Sequence, residues 1–192
     1  NTFGYRKINS IEIMSLSEDG SNVVGEKNKI SCDCLGISGG WTPMVHMHTQ
    51  SGGKLNFRDT DQVFVPKEFS DNRISVGSSN GQFELDEIIN STNNTVKKFL
   101  NIQETDLDNA DISCSKELGK RNIWLLPNYI SLGKNKSFID FQNDSTAKDI
   151  KLAMREGFKS IEHVKRYTTT GMATDHGKLS NMHALGIIAE TA

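Results

Sequence analysis

Cysteine is scarce in this 192-residue chain. There are three, and Cys32 and Cys34 lie a single residue apart. An odd number in that arrangement lays out no disulfide framework, so the small stapled scaffolds of secreted proteins are excluded and a reducing, cytoplasmic setting is expected. Proline is equally sparse, at positions 43, 66 and 127 only. Hydrophobic residues make up 35% and aromatics 7%, and no apolar run approaches the ~18 residues that would span a bilayer. Charge of one sign is also missing: 22 basic residues face 24 acidic ones, for a net charge of -2. That balance offers no surplus for nucleic acid or an anionic membrane. There is no P-loop, no nucleophile elbow, no zinc-protease helix and no G-x-G-x-x-G fingerprint. The first residues carry neither a Met nor a basic-then-apolar leader. The last ones, SNMHALGIIAETA, stop inside an apolar helix pattern with no cap, so the stretch reads as a piece of something longer.

What is present falls into two kinds of sequence. In the first, YRKINSIEIMSL (5–16) carries isoleucines at 8, 11 and 13, and EDGSN (18–22) is a turn signal, which predicts a hairpin. KISCDCLGIS (29–38) is mostly apolar and bounded by Ser-Gly-Gly, the pattern of a strand buried on both faces. HTQSGGKLNFRDTD (48–61) reads as an exposed loop and QVFVP (62–66) as a short strand ended by Pro66. Ile74 and Val76 suggest a brief strand, Gly77 and Gly81 a turn, and Phe83, Leu85, Ile88, Ile89, Val96 and Leu100 a long helix. The free N–H groups and positive dipole end of that helix make a natural seat for a phosphate. Residues 101–135 show little periodicity.

The second kind begins near 125–137. Thr146 followed by Asp149 approaches a capping box, Ile150, Leu152 and Ala153 share one helical face, and Gly157 suits a helix end. SIEHVKRY predicts a second short helix, TTTGMATDHGK a loop, and LSNMHALGIIAE a third helix.

Four sets of residues suggest chemistry. Cys32 with Cys34 and His46 with His48 would each share a strand face, but the one-residue spacing misses the two to four and three to five of structural zinc sites. Core packing is the better reading of the cysteines, and the histidines lead out to a loop. Gly39-Gly40 would let the backbone approach a ligand, with Pro43 fixing the exit; a tight strand–loop turn explains the same residues. The turn VGSSNGQFEL suits dinucleotide contact or a plain strand-to-helix connection. Lys165, Arg166 and Lys178, near a hydroxyl-rich loop, would grip a phosphate or carboxylate or simply solvate a helix end.

Taken in order, CDCLGISGGWTP, VHMHTQSGGKL, FVP, VGSSNGQFEL and above all DFQNDSTAKDIKLAMREGFKSIEHVKRYTTTGMATDHGKLSNMHALGIIAE resemble the alpha subunit of heterotetrameric sarcosine oxidases. The resemblance covers nearly the whole chain and implies an internal stretch of a much longer subunit. It implies an oxidoreductase that demethylates sarcosine to glycine, giving hydrogen peroxide and formaldehyde or 5,10-methylenetetrahydrofolate. FAD lies in the beta subunit and FMN at the alpha–beta interface. Tetrahydrofolate binds in a later alpha domain, NAD in a Rossmann-like alpha domain, and the gamma and delta subunits complete the assembly. No residue of this stretch would be catalytic, and the stretch alone would be inactive.

The fold class that follows is α/β. Residues 1–105 would be the second half of the Rossmann-like NAD domain and 106–136 a linker. Residues 137–192 would be a small helical domain resembling [2Fe–2S]-binding domains. The implied NAD contacts fall on Ser78, Phe83 and Leu85, to which geometry adds Gly77 and Gly81. Lys165, Arg166, Tyr167 and Thr168 would lie near FMN or the beta subunit. The four cluster-binding positions of the iron–sulfur relatives fall on Asp140, Gln142, Asp175 and Ser180. None is cysteine, so no iron–sulfur cluster is expected. The rival readings are the alpha subunit of a related amine or opine oxidase and a non-catalytic scaffold joining other subunits.

Overall fold

A computed structural model describes residues 1–67, 73–102, 122–127 and 136–192. The chain divides into two compact units, one formed by residues 1–35 and 123–192 and the other by 36–122.

In the first unit, β1 (Thr2–Gly4), β2 (Ile8–Leu16) and β3 (Val23–Ser31) form an antiparallel sheet in that order. The predicted hairpin is there. Its turn is tied by Ser17 Oγ donating to Asp19 Oδ1 at 2.5 Å, while Ser21 N donates to the same oxygen at 3.2 Å. The strand foreseen over 29–38 is not. The ladder ends at Ser31, residues 33–42 are all exposed, Cys34 is exposed and Cys32 only half-buried. An apolar run needs a second layer to become a buried strand, and no described residues cover this one.

The helical part of the same unit follows its sequence closely. β6 (Phe138–Asp140) pairs antiparallel with β7 (Ser145–Thr146), and α3 (Ala147–Arg155), α4 (Ile161–Thr168) and α5 (Asn181–Thr191) follow. The capping box is complete: Thr146 Oγ1 accepts from Asp149 N, and Asp149 Oδ2 accepts from Thr146 N at 2.8 Å. Such a cap contributes ~1 kcal/mol. Gly157 follows the helix end with φ 98°. Ala147, Ile150 and Ala153 of α3, Val164 of α4, and Ala184, Ile187 and Ile188 of α5 form the core with Ile139. Three of these eight are alanines, which lets short helices approach closely.

The second unit holds α1 (His46–Gln50), the hairpin of β4 (Leu55–Arg58) and β5 (Val63–Pro66), a 3-10 turn at Gly77–Asn80 and α2 (Leu85–Leu100). β5 and α2 fall where the sequence put them. The loop expected over 48–61 instead contains the end of α1 and all of β4. Phe57 faces Phe64 across the ladder, with ring centroids 5.1 Å apart. His48 is buried, its Nε2 3.1 Å from the Lys54 carbonyl, and packs so tightly on Gly53 that a Cβ there would lie 2.2 Å from the ring. Ile74 and Val76 are not in a strand.

All four pairings between these strands are antiparallel, so the parallel ladder of a Rossmann sheet is not among them. Of the linker expected over 106–136, positions 106–121 and 128–135 lie outside the described residues. Among the described residues no helix is long and apolar enough to cross a membrane.

Candidate functional site

A cavity of about 550 Å³ opens in the second unit, and two stretches singled out in the sequence, forty residues apart, line it together. Gly40 and Trp41 come from the Gly-Gly-Trp segment, and Gly81, Gln82, Phe83 and Glu84 from the turn before α2. Arg58, Thr60, Asp61 and Val63 of the β4–β5 hairpin complete the walls with Glu87 and Asn122. Its volume falls within the roughly 300–1,000 Å³ of small-molecule sites.

A guanidinium holds the turn against the hairpin. Arg58 Nε donates to Asp61 Oδ1 at 2.7 Å, and Nη2 donates to Asp61 Oδ2 at 2.5 Å and to the Gly81 carbonyl at 2.6 Å. The Asp61 carboxylate raises the proton affinity of Arg58, and the Arg58 side chain holds the Asp61 carboxyl below its usual range. Asn122 Nδ2 donates to the Asp61 carbonyl, and Ser91 Oγ donates to Gln82 Oε1 at 2.8 Å.

Two glycines are required here, for different reasons. Gly40 has φ 117° in open space, so the need is conformational. Gly81 has φ 73° and would place a Cβ 2.7 Å from Val65 Cγ1 and 2.8 Å from Arg58 Nη2. Gly81→Ala is expected to cost about 1–2 kcal/mol, the left-handed penalty of an ordinary residue, and to loosen the Arg58 contact. Urea unfolding of the chain measures it.

Of the residues predicted to contact a dinucleotide, Phe83 and Gly81 line the cavity. Gly77, Ser78 and Leu85 do not: Gly77 is buried under Ile88, Ser78 is exposed and Leu85 is half exposed at the start of α2. At that helix end Glu84 is the N-cap residue without a side-chain cap hydrogen bond, and Asp86 and Glu87 lie in the first turn. Arg58 and Trp41 were missed, Arg58 because a lone arginine in a presumed loop has no spacing to mark it.

The second candidate region is the loop face of the helical unit. Asp140 is 4% exposed. Its carboxylate accepts from the backbone N–H groups of Gly171 (2.7 Å), Gln142 (2.9 Å) and Asn143 (3.2 Å), and from Asn143 Nδ2 (3.2 Å). Burial alone would raise its pKa, but these donors, Gly171 first, hold it below the usual carboxylate value. Gln142 Oε1 accepts from Thr174 N at 3.2 Å and Oγ1 at 2.6 Å, and Asp175 accepts from Gly177 N at 3.1 Å and Leu179 N at 3.3 Å. Ser145 Oγ donates to the Thr168 carbonyl at 2.7 Å, and Asn143 Nδ2 to that of Thr169 at 2.9 Å. Three of the four positions expected from the resemblance to match cluster ligands, Asp140, Gln142 and Asp175, thus hold loops together by hydrogen bonds. The fourth, Ser180, is 1% exposed.

The basic set is dispersed in its roles. Lys165 lies 4.0 Å from Glu162, Tyr167 packs against Phe158 at a tilt with ring centroids 4.9 Å apart, and Thr168 Oγ1 donates to the Val164 carbonyl at 2.8 Å. Arg166 is exposed. Among the described residues no three His, Cys, Asp or Glu side chains gather where a metal could be held.

Comparison with known proteins gives the class of protein first. Residues 134–192 match the family described as Sarcosine oxidase A3 domain. The similar curated proteins are alpha subunits. The chain is 34% identical over 172 residues to the sarcosine oxidase subunit alpha of Rhizobium meliloti (strain 1021), which covers 86% of this chain and 17% of that one. It is 29% identical over 188 residues to the subunit alpha of Corynebacterium sp. (strain U-96), covering 95% and 19%. With that of Corynebacterium sp. (strain P-1) it shares 30% over 196 residues, again 95% and 19%. The chain is therefore related along most of its length to sarcosine oxidase alpha subunits and spans under a fifth of theirs.

Proposed function

We propose that this stretch serves a sarcosine oxidase by contributing part of an NAD site, and that the site is the cavity of the second unit. The complex would demethylate sarcosine oxidatively to glycine, with hydrogen peroxide and formaldehyde or 5,10-methylenetetrahydrofolate as products. FAD would lie in a beta subunit, tetrahydrofolate in a later alpha domain, and gamma and delta subunits would complete the assembly in the cytoplasm. Residues 36–102 would supply the last turn and helix of a Rossmann-like domain whose parallel strands belong to the longer chain. The helical unit, with its cysteine positions replaced by a hydrogen-bonded set, would face FMN or the beta subunit through Lys165, Arg166 and Tyr167. Thr168, bonded within its own helix and to Ser145, is better placed to shape that surface than to touch a cofactor.

One observation carries the NAD reading: Gly40-Trp41 and Gly81-Gln82-Phe83 converge on one cavity with an aromatic on each segment. Flat heteroaromatic rings are bound by such walls, each stack adding ~1–3 kcal/mol. The test is equilibrium dialysis of NAD against the full-length alpha chain in its assembly. Phe83→Ala is expected to weaken binding at least tenfold. Ser78→Ala, away from the cavity, should leave it unchanged. Undiminished binding in Phe83→Ala would remove the cavity from consideration.

A further inference from the structure

Asparagine is spread along this chain, and Asn80 alone is followed by glycine. An Asn-Gly bond is chemically fragile, because glycine has no side chain to shield its backbone nitrogen from the asparagine amide before it. The fold does not admit a bulkier residue at 81. Gly81 has φ 73°, and a Cβ there would lie 2.7 Å from Val65 Cγ1 and 2.8 Å from Arg58 Nη2. The turn into α2 therefore carries a built-in hazard at Asn80.

The same turn is fastened at the atoms the reaction must move. Asn80, half-buried, closes the 3-10 turn Gly77–Asn80. Gly81 N donates to the Ser78 carbonyl at 3.1 Å, and Gln82 N to the Gly77 carbonyl at 3.1 Å. The Gly81 carbonyl accepts from Arg58 Nη2 at 2.6 Å, and Asp61 fixes that guanidinium with bonds of 2.7 and 2.5 Å. Gly81 is thus held on both sides of its Cα. Ring closure needs its nitrogen freed from Ser78 and turned toward Asn80, which a clamped carbonyl resists.

We propose that Asn80 is a site of spontaneous deamidation, and that the Arg58 clamp on Gly81 keeps it intact. In the opened turn the Gly81 nitrogen gives its proton to water and attacks the side-chain carbonyl carbon of Asn80. The new N–C bond closes a cyclic imide as the C–Nδ2 bond breaks, and the amide nitrogen leaves as ammonia after taking a proton from water. Water then adds to either imide carbonyl and opens the ring to aspartate or isoaspartate. The sum is hydrolysis of one amide, with no oxidation or reduction. Either product puts a carboxylate where a neutral amide stood. Isoaspartate also lengthens the main chain by one atom, which pulls Gly81 away from Arg58 and displaces Gln82 and Phe83 behind it. This holds whatever the cavity binds.

The test ages the full-length alpha chain in its assembly in mildly alkaline buffer, beside a synthetic peptide of residues 76–86. Peptide mass spectrometry follows loss of the Asn80 amide, and enzymatic methylation reports isoaspartate. The native chain should lose the amide at least about tenfold more slowly than the peptide, since reaction waits on local opening. Arg58→Ala should speed the loss at least about threefold, because an anchoring hydrogen bond is gone. Arg58→Lys, a cation without the planar fork, should fall between the two. Asn90, followed by Ser91 inside α2, is the internal reference for general unfolding. Faster loss at Asn80 with Asn90 unchanged, in either variant, supports the clamp. A native chain that reacts as fast as the peptide overturns the proposal. So does a rate at Asn80 that is unchanged in both variants or rises only in step with Asn90.

Discussion

Replacing Asp140 with Ala should cost the chain about 3 kcal/mol of stability at neutral pH. The reason is the number of donors that depend on one buried carboxylate. Gly171, Gln142 and Asn143 each give it a backbone N–H, and the Asn143 amide adds a fourth bond. Removing the acceptor leaves buried donors unsatisfied at about 1–3 kcal/mol each, and water entering the space recovers part of that. It also cuts the connection between the β6–β7 turn and the Gly171 loop, a link across 31 residues of sequence. Asp140→Asn keeps the size and one carbonyl acceptor but loses the charge, and should cost about half as much.

The two variants also separate in acid. The folded-state pKa of Asp140 lies below the ordinary value of 3.8, so its contribution is complete above roughly pH 4 and is lost as the pH falls through the depressed folded value. Urea unfolding between pH 7 and pH 3 should therefore show the wild-type chain losing stability more steeply than Asp140→Asn. Parallel curves would mean that the carboxylate charge contributes nothing there.

The second large effect is expected at Gly186. It lies inside α5, where Gly costs up to ~1 kcal/mol relative to Ala, so an ordinary reading makes Gly186→Ala stabilising. The structure reverses the sign. A Cβ there would fall 2.1 Å from Trp124 Cδ2 and 2.4 Å from Cγ, inside the indole rather than against it. Trp124 packs on the core of the helical unit, and its carbonyl is bonded by His183 Nε2. The added methyl must displace the ring, at about 1–3 kcal/mol, so Gly186→Ala should be net destabilising and Gly186→Leu should lose at least ~3 kcal/mol.

A double-mutant cycle makes the cause visible. In a Trp124→Ala background the clash is gone and only helix propensity remains, so Gly186→Ala should there become stabilising by up to ~1 kcal/mol. Tryptophan fluorescence in a Trp41→Phe background would follow the ring directly, with a red shift as it moves into water. A destabilisation that persists without Trp124 would put the cause elsewhere in α5.

How much of this was readable in advance depends on the distance over which each element is decided. The capping box at Thr146 and Asp149, the glycine after α3, the helical spacing from Leu85 to Leu100 and the Asp19-Gly20 turn of the β2–β3 hairpin lie within a few residues of what they control. Each took its expected form. The turn at Gly81 before α2 was legible for the same reason, since a glycine turn entering a helix is a local signal. The resemblance to sarcosine oxidase alpha subunits was likewise carried by contiguous motifs, above all those of residues 140–190.

What failed was long-range. Residues 29–38 have the composition of a buried strand, but burial requires a covering layer that no neighbouring sequence supplies. β4 is four residues with no alternation to announce it, and it becomes a strand by pairing with β5. Arg58 is an unremarkable arginine until the hairpin brings it to the Gly81 carbonyl, 23 residues on. The cavity assembled from Gly40, Trp41, Arg58, Asp61, Phe83, Glu84 and Glu87 joins segments forty residues apart, and its described lining carries more carboxylate than cation. The sequence by itself determined helices α2 to α5, the cap of α3 and the resemblance, because those follow from backbone periodicity, short-range hydrogen bonds and contiguous motifs. The tertiary structure decided which strands are covered, which glycines are sterically required and what charge the cavity presents, because each of those is a sum over residues that only folding brings within a few ångströms.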